Sequence, residues 1–260
     1  MEMDQHLLVQ KKDGIATLLI NRPEVRNVLT GEMYKGLAQY LYDLDQDEEV
    51  SVIVIRGAGE KAFCAGSDVN YFLNKTVLER QKHFANVAEL MQAPARIGKP
   101  VIAAVRGYAL GAGCALAAAC DLSIATEDSL LGIPEVEIGI FPMTITPVII
   151  RRVGVHRALE IMILGERMKA PRAAEIGLIN KAVAGKDFEE EISRWATKLA
   201  AATPVAVRMG KFAFYNCLDI EYFKAIKYMG NMMAINASSE DCAEGISAFF
   251  EKRKPRWKAR

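Results

Sequence analysis

Twice in this chain a β-type apolar run empties into a loop of very small residues, and that repeated grammar restricts the fold more than any other feature. Val52-Ile53-Val54-Ile55 leads to Lys61-Ala62-Phe63-Cys64-Ala65-Gly66-Ser67-Asp68-Val69, and Val101-Ile102-Ala103-Ala104-Val105 leads to Gly107-Tyr108-Ala109-Leu110-Gly111-Ala112-Gly113-Cys114. Short apolar runs of this kind read as strands. Small residues after a strand let a ligand approach backbone N–H groups closely. Two converging N–H donors can hold a developing oxyanion. A carboxylate follows in a mostly apolar segment, Glu135 within Leu131-Gly132-Ile133-Pro134-Glu135-Val136-Glu137-Ile138-Gly139. Desolvation there would raise its pKa toward that of a useful base.

Around these loops the chain alternates. Residues 14–21 read as a strand ended by Asn21-Arg22-Pro23, since proline cannot extend a ladder. Thr30 can cap a helix on which Met33, Leu37, Tyr40, Leu41 and Leu44 recur at helical spacing, and strand 51–56 follows an acidic return. A polar segment from Asn70 to Lys82 separates the first loop from a helix expected to end near Met91, with Pro94 and Pro100 bracketing the next strand. Strand, loop and helix have then occurred twice, which points to an α/β fold: a ββα spiral whose strands stack into sheets covered by helices.

From Phe141 onward the pattern is almost wholly helical, with helices expected over 143–153, 156–165, 170–176, 188–201, 204–216, 219–235 and 239–252 and one strand near Ile179–Val183. The late helices carry Met209, Phe212, Phe214, Tyr215, Tyr222, Phe223, Tyr228, Met229, Met232 and Met233. That is more apolar surface than a small helical tail can bury alone, so a subunit interface is expected there. The division expected is a spiral core over 1–200 and a C-terminal helical oligomerisation region over 201–260.

With 260 residues, 51% hydrophobic and 25% charged, the chain can bury a substantial core and is not of a disordered class. A net charge of +1 gives no global field to recruit nucleic acid, the basic tail Lys252–Arg260 being a local exception. The uncharged stretch Gly107–Cys120, bounded by Arg106 and Asp121, is shorter than a bilayer span and reads as a buried helix start, so no membrane partner is expected. The start Met1-Glu2-Met3-Asp4-Gln5-His6 is acidic and lacks the apolar core of a secretory signal. Five cysteines without a Cys-x-x-Cys pair fit a reducing compartment, and a cytoplasmic location is expected. No dinucleotide loop, Walker loop or Gly-x-Ser-x-Gly elbow occurs, and His6, His83 and His156 form no metal-ligand grouping. No metal and no permanently bound cofactor is expected.

The motif Ala-Phe-Cys-Ala-Gly-Ser-Asp at 62–68, Arg-Gly-Tyr-Ala-Leu-Gly-Ala-Gly-Cys at 106–114, Cys120-Asp121-Leu122 and Pro134-Glu135-Val136-Glu137-Ile138-Gly139 closely resembles the enoyl-CoA hydratase/isomerase (crotonase) superfamily. The opening Asn21–Asn27 and the closing Glu244–Arg253 resemble that family's end motifs. The resemblance implies a crotonase-like spiral assembled into a homotrimer or a hexamer of paired trimers, acting on an acyl-CoA, with coenzyme A entering as part of the thioester substrate. It implies oxyanion donors on the backbone N–H groups of Ser67 and Ala112, and Glu135 as the catalytic acid/base. It places coenzyme A beside Glu24, Arg26, Lys61, Ala65, Asp68 and Val69, with Phe249 and Lys252 reaching in from a neighbouring subunit. Asp68 also reads as a structural acceptor of local N–H groups, and Glu137 as solvated or ion-paired.

Two departures matter. The hydratases of the family hold their attacking water with two glutamates, and the first of these falls on Ala115 here. Where they have a glycine-rich turn, this chain reads Phe141-Pro142-Met143-Thr144-Ile145-Thr146-Pro147, which implies a bulkier, drier site. Phe63, Tyr71 and Phe72 either shape the acyl pocket or fill the core, and Ala115 and Met143 are expected to face the substrate. A lone glutamate in a dry pocket suits 1,3-proton transfer, so the reading preferred is isomerisation of a 3-enoyl-CoA to a 2-enoyl-CoA. Hydration through Glu135 alone, thioester hydrolysis, decarboxylation of a malonyl-type thioester, and a catalytically silent acyl-CoA- or RNA-binding scaffold are the alternatives.

Overall fold

A computed structural model describes residues 5–259; the acidic start Met1–Asp4 and Arg260 lie outside the described residues. Two antiparallel strands open the chain, β1 (Leu7–Lys12) and β2 (Ile15–Ile20). They are joined by Asp13-Gly14, both at positive φ as a two-residue hairpin turn requires. Then β3 (Val52–Gly57), β5 (Val101–Val105), β7 (Leu122–Thr126) and β10 (Lys181–Val183) add in parallel, giving the order β1-β2-β3-β5-β7-β10. A second sheet runs β4 (Ala62–Cys64), β6 (Tyr108–Leu110), β8 (Leu130–Gly132) and β9 (Arg167–Lys169). The pairs β3/β4, β5/β6 and β7/β8 each give one strand to each sheet, so the chain winds as the ββα spiral the alternation implies.

The apolar runs explain the layering. Alternate residues of a strand point to opposite faces. Ile53, Ile55, Val101, Ala103 and Val105 therefore enter the main core, while Val52, Val54, Ile102, Ala104 and Ile124 pack on the other face against Phe188, Ile192 and Ala196 of α6 (Phe188–Ala200). Burial on both faces is why these strands show no polar alternation.

Helix α1 (Gly31–Gln46) starts where Thr30 accepts a hydrogen bond from the Met33 N–H, and buries Met33, Tyr34, Leu37, Leu41 and Leu44. Helix α2 (Val77–Arg96) begins earlier and ends later than the sequence suggests. Its start is fixed by a capping box in which Thr76 and Glu79 satisfy each other's backbone donors, inside the polar stretch Asn70–Lys82 that reads as a connection. Its end runs through Pro94, because Val87, Leu90, Met91, Ala93 and Pro94 are buried together and that packing outweighs a loss of about 3 kcal/mol for an internal proline. Helix α3 (Ala112–Ala119) is buried along its whole length, as its alanine-rich sequence permits.

Helices α4 (Thr146–Leu164), α5 (Ala170–Glu175), α7 (Pro204–Cys217), α8 (Tyr222–Ala237) and α9 (Glu240–Phe250) complete the C-terminal half. The break expected near residue 154 in α4 is the non-helical Gly154. The three-residue, charged β9 on a sheet edge has no apolar period, which is why periodicity does not reveal it between the helices expected over 156–165 and 170–176. Tyr215, one of the aromatics expected on the surface, is half-buried and donates to Asp121 at 2.8 Å. Met209, Phe212, Tyr228, Met229 and Met232 are half-buried too, whereas Phe214, Tyr222, Phe223 and Met233 are exposed. Among the described residues no helix is long and apolar enough to cross a membrane.

Candidate active site

The two small-residue loops meet edge to edge. The carbonyl of Gly66 accepts from the Leu29 N–H and the Asp68 N–H donates to the Leu29 carbonyl, each at 2.9 Å. Ser67, between them in extended backbone, therefore turns its own N–H to the opposite side. Ala112 is the first residue of α3, where N–H groups have no intrahelical acceptor and the helix dipole is positive. Gly66 (φ 107) makes the approach possible: a Cβ there would lie 3.2 Å from the Leu110 carbonyl oxygen and 3.9 Å from the Ala112 nitrogen.

Glu135 arrives from the second sheet. The Gly111 N–H donates to the Gly132 carbonyl at 2.8 Å, and from β8 the chain enters a 3-10 turn over Pro134–Ile138 closed by Gly139. Gly111 holds φ 54, and a methyl group on it would sit 2.6 Å from Glu135 Oε1. Burial pushes the Glu135 carboxyl up to about 7, and its Oε2 has no hydrogen-bond partner in the protein. Ser67, Ala112 and Glu135 thus line one cavity of about 590 Å³. Two N–H donors and a poised carboxylate on one wall are suited to moving a proton beside a carbonyl whose oxygen becomes negative.

Most of the remaining wall is apolar: Val69, Phe72, Phe84, Val87, Ile140 and Phe141 line it with Met143 and others of the 138–145 loop. Glu137 also lines it but is neutralised by Arg167, whose guanidinium makes two parallel hydrogen bonds to the carboxylate at 2.9 and 2.8 Å. Of the residues expected in the acyl pocket, Phe72 and Met143 line the cavity. Phe63 does not: it is fully buried in the core between the sheets. Tyr71 stacks instead on His83 at 4.4 Å. Ala115 lies one turn inside α3, closed off by its neighbours, and does not face the cavity as expected.

Ala65 and Val69 line the same cavity, with Asp68 between them accepting the Asn70 N–H at 3.2 Å, the structural use read from its sequence context. Glu24, Arg26 and Lys61 are exposed, and the Arg26 guanidinium sits 5.5 Å over the Tyr108 ring. Phe249 and Lys252 are not brought to the cavity within one chain; Phe249 lines a separate groove with Trp257.

Sequence reasoning missed four contributors. Asn27, fully buried, donates to the carbonyls of Ala58 and Ala62 and accepts the Arg22 N–H, tying the 21–27 turn to the strand that carries the first loop. Phe84 and Val87 of α2 supply pocket wall, a role their helical spacing does not distinguish from core. Tyr34 of α1 is fully buried with its hydroxyl 2.7 Å from Ser67 Oγ, one tyrosine on an apolar face with no sequence signal.

The family model described as enoyl-CoA hydratase/isomerase matches residues 10–260. The chain belongs to this family. It is 32% identical over 255 residues to the short-chain-enoyl-CoA hydratase of Clostridium acetobutylicum, covering 98% of this chain and 97% of that one. It is 33% identical to the 2,3-dehydroadipyl-CoA hydratase of Escherichia coli, covering 98% and 99%. The crystal structure of enoyl-CoA hydratase from Mycobacterium smegmatis superimposes with a TM-score of 0.93 at 36% identity, over 98% of this chain and 99% of that one. The spiral core and C-terminal helices are thus a crotonase fold. No group of three or more His, Cys, Asp or Glu placed to hold a metal occurs among the described residues of this enoyl-CoA hydratase/isomerase family member.

Proposed function

We propose that the protein is an acyl-CoA-processing enzyme that isomerises 3-enoyl-CoA to 2-enoyl-CoA, with Glu135 as its single acid/base and the Ser67 and Ala112 N–H groups as the oxyanion donors. One observation carries this reading: of the two carboxylates lining the cavity, Glu137 is neutralised by Arg167, so Glu135 alone is available. Glu135 takes a proton from C2 of the thioester, and the electron pair spreads onto the thioester oxygen and C4. The proton returns at C4, leaving a C2–C3 double bond. The donors hold the dienolate oxygen, and the apolar wall keeps water from adding to it.

Coenzyme A in this reading lies along Glu24, Arg26, Lys61, Ala65, Asp68 and Val69, with Phe249 and Lys252 supplied by a neighbouring subunit of a trimer or hexamer. Residues 201–260 form the oligomerisation region, and the location is the cytoplasm. The second reading is hydration through Glu135 alone, favoured by relatives that bear hydratase names.

Purified protein offered a 3-enoyl-CoA, a 2-enoyl-CoA and a malonyl-type CoA should convert the first alone, and Glu135→Gln should abolish that conversion. A 3-hydroxyacyl-CoA product from the 2-enoyl ester would establish the hydratase reading. Turnover surviving in Glu135→Gln would remove Glu135 from the chemistry, and loss of the malonyl-type carboxylate would make the enzyme a decarboxylase.

A further inference from the structure

Tyr34 and Ser67 form a side-chain pair whose hydrogen-bond direction is set by burial. Their hydroxyl oxygens are 2.7 Å apart, and either could donate. Tyr34 is fully buried among apolar neighbours and makes no other hydrogen bond in the protein, while Ser67 is half-buried and lines the cavity. If Ser67 donated, the phenolic hydrogen would be left buried with no acceptor, a loss that proteins rarely sustain. With Tyr34 donating, the phenolic hydrogen has its acceptor in Ser67 Oγ, and the Ser67 hydroxyl hydrogen is free to turn toward the cavity. Burial also raises the Tyr34 pKa strongly, so the phenol keeps its proton. The ring is wedged in place by the buried His83, edge-on at a centroid distance of 5.5 Å.

We propose that the Ser67 hydroxyl, held by Tyr34, is a further hydrogen-bond donor to the negative thioester oxygen, beside the two main-chain donors. Tyr34 is the positioning residue and Ser67 the residue that touches substrate. This rests on the oxyanion reading above but not on which product is released. The ligand class it serves is an acyl thioester at the enolate stage, and the neutral ground state gains little from it.

The probe is acetoacetyl-CoA, whose enolate has its own ultraviolet absorbance, so the enolate fraction on the enzyme reports oxyanion stabilisation without turnover. Butyryl-CoA serves as the neutral control ligand. Ser67→Ala should lower the bound enolate-to-keto ratio about 10- to 100-fold, the span expected for one donor to a charged oxygen. Tyr34→Phe should lower it about three- to tenfold, since the hydroxyl persists but loses its orientation. In Ser67→Ala, the added Tyr34→Phe change should do nothing further, because the two act as a unit. Butyryl-CoA affinity should stay within about twofold throughout.

An equal drop from Tyr34→Phe in both backgrounds would mark Tyr34 as merely structural and overturn the proposal. So would an unchanged enolate ratio in Ser67→Ala. No enolate on the unaltered protein would bring down the oxyanion reading itself, and the proposal with it; an enolate on the unaltered protein with unmoved variants would bring down the proposal alone.

Discussion

Glu135 is kept where its charge is costly, and two measurable consequences follow. Its carboxyl is raised to about 7 from an ordinary value of 4.5, chiefly by burial. If it acts as the base, kcat/KM must climb with pH until the carboxylate form dominates: about tenfold per unit well below 7 and level above it. A pH–rate profile on a 3-enoyl-CoA tests this, and Glu135→Gln should lose the limb together with the activity. The same shift bears on stability. Between about 4.5 and 7 the unfolded chain releases a proton that the folded chain keeps, so stability falls as pH rises through that window and the whole penalty is in force above it. Glu135→Gln removes the ionisation while keeping the shape. At pH 8 it should be more stable than the parent by on the order of 1–3 kcal/mol, read by denaturant unfolding at fixed protein concentration. An unchanged or lower midpoint would mean that the carboxylate finds compensation in solution.

Elements bring the site together, and they divide what the sequence makes legible from what it hides. The strands β3 and β5 and the loops after them were readable, because continuous apolar runs and small residues report local requirements of the backbone. The buried helix start within Gly107–Cys120 and the Thr30 cap were readable for the same reason. Long-range partnerships were not: nothing in the spacing of Tyr34, Phe84 or Asn27 tells a core residue from one that braces a site, and Ala115 and Phe63 went the other way, into the core. Asn27 shows what such a brace does. Its amide nitrogen reaches the Ala62 carbonyl at 2.7 Å and the Ala58 carbonyl at 3.0 Å, and its backbone adopts φ 58, which asparagine tolerates better than alanine. Asn27→Ala should therefore cost about 2–4 kcal/mol by leaving buried carbonyls unpartnered in a strained turn. Because Ala62 begins β4 and Ser67 follows it by five residues, kcat should fall as well. Thermal unfolding and steady-state kinetics at a permissive temperature separate the two effects.

At the scale of the molecule, the feature to explain is an apolar surface that none of the described residues covers. Helix α8 has no buried residue, and Tyr222, Phe223, Ile226, Met233 and Ile235 are all exposed on it, Phe223 by 77%. Beyond it, Phe249 and Phe250 at the end of α9 are 78% and 77% exposed. Large apolar side chains exposed in this number on a folded chain mark interaction surfaces, and the proposed trimer or hexamer would cover them with further copies. The assembly and the site are linked in this reading, because Phe249 and Lys252 would contact coenzyme A only from a neighbouring subunit. Phe223→Glu together with Ile226→Glu would then do two things at once. In sedimentation velocity the variant should run as a smaller species than the parent, since a buried unpaired carboxylate is expelled from an interface. Its affinity for acyl-CoA should weaken about tenfold or more, as the loss of the Lys252 and Phe249 contacts implies, even though Ser67, Ala112 and Glu135 are untouched. A parent that already sediments as a monomer, or a dissociated variant that binds acyl-CoA as tightly as before, would separate the exposed helices from the active site and leave the cavity to one chain.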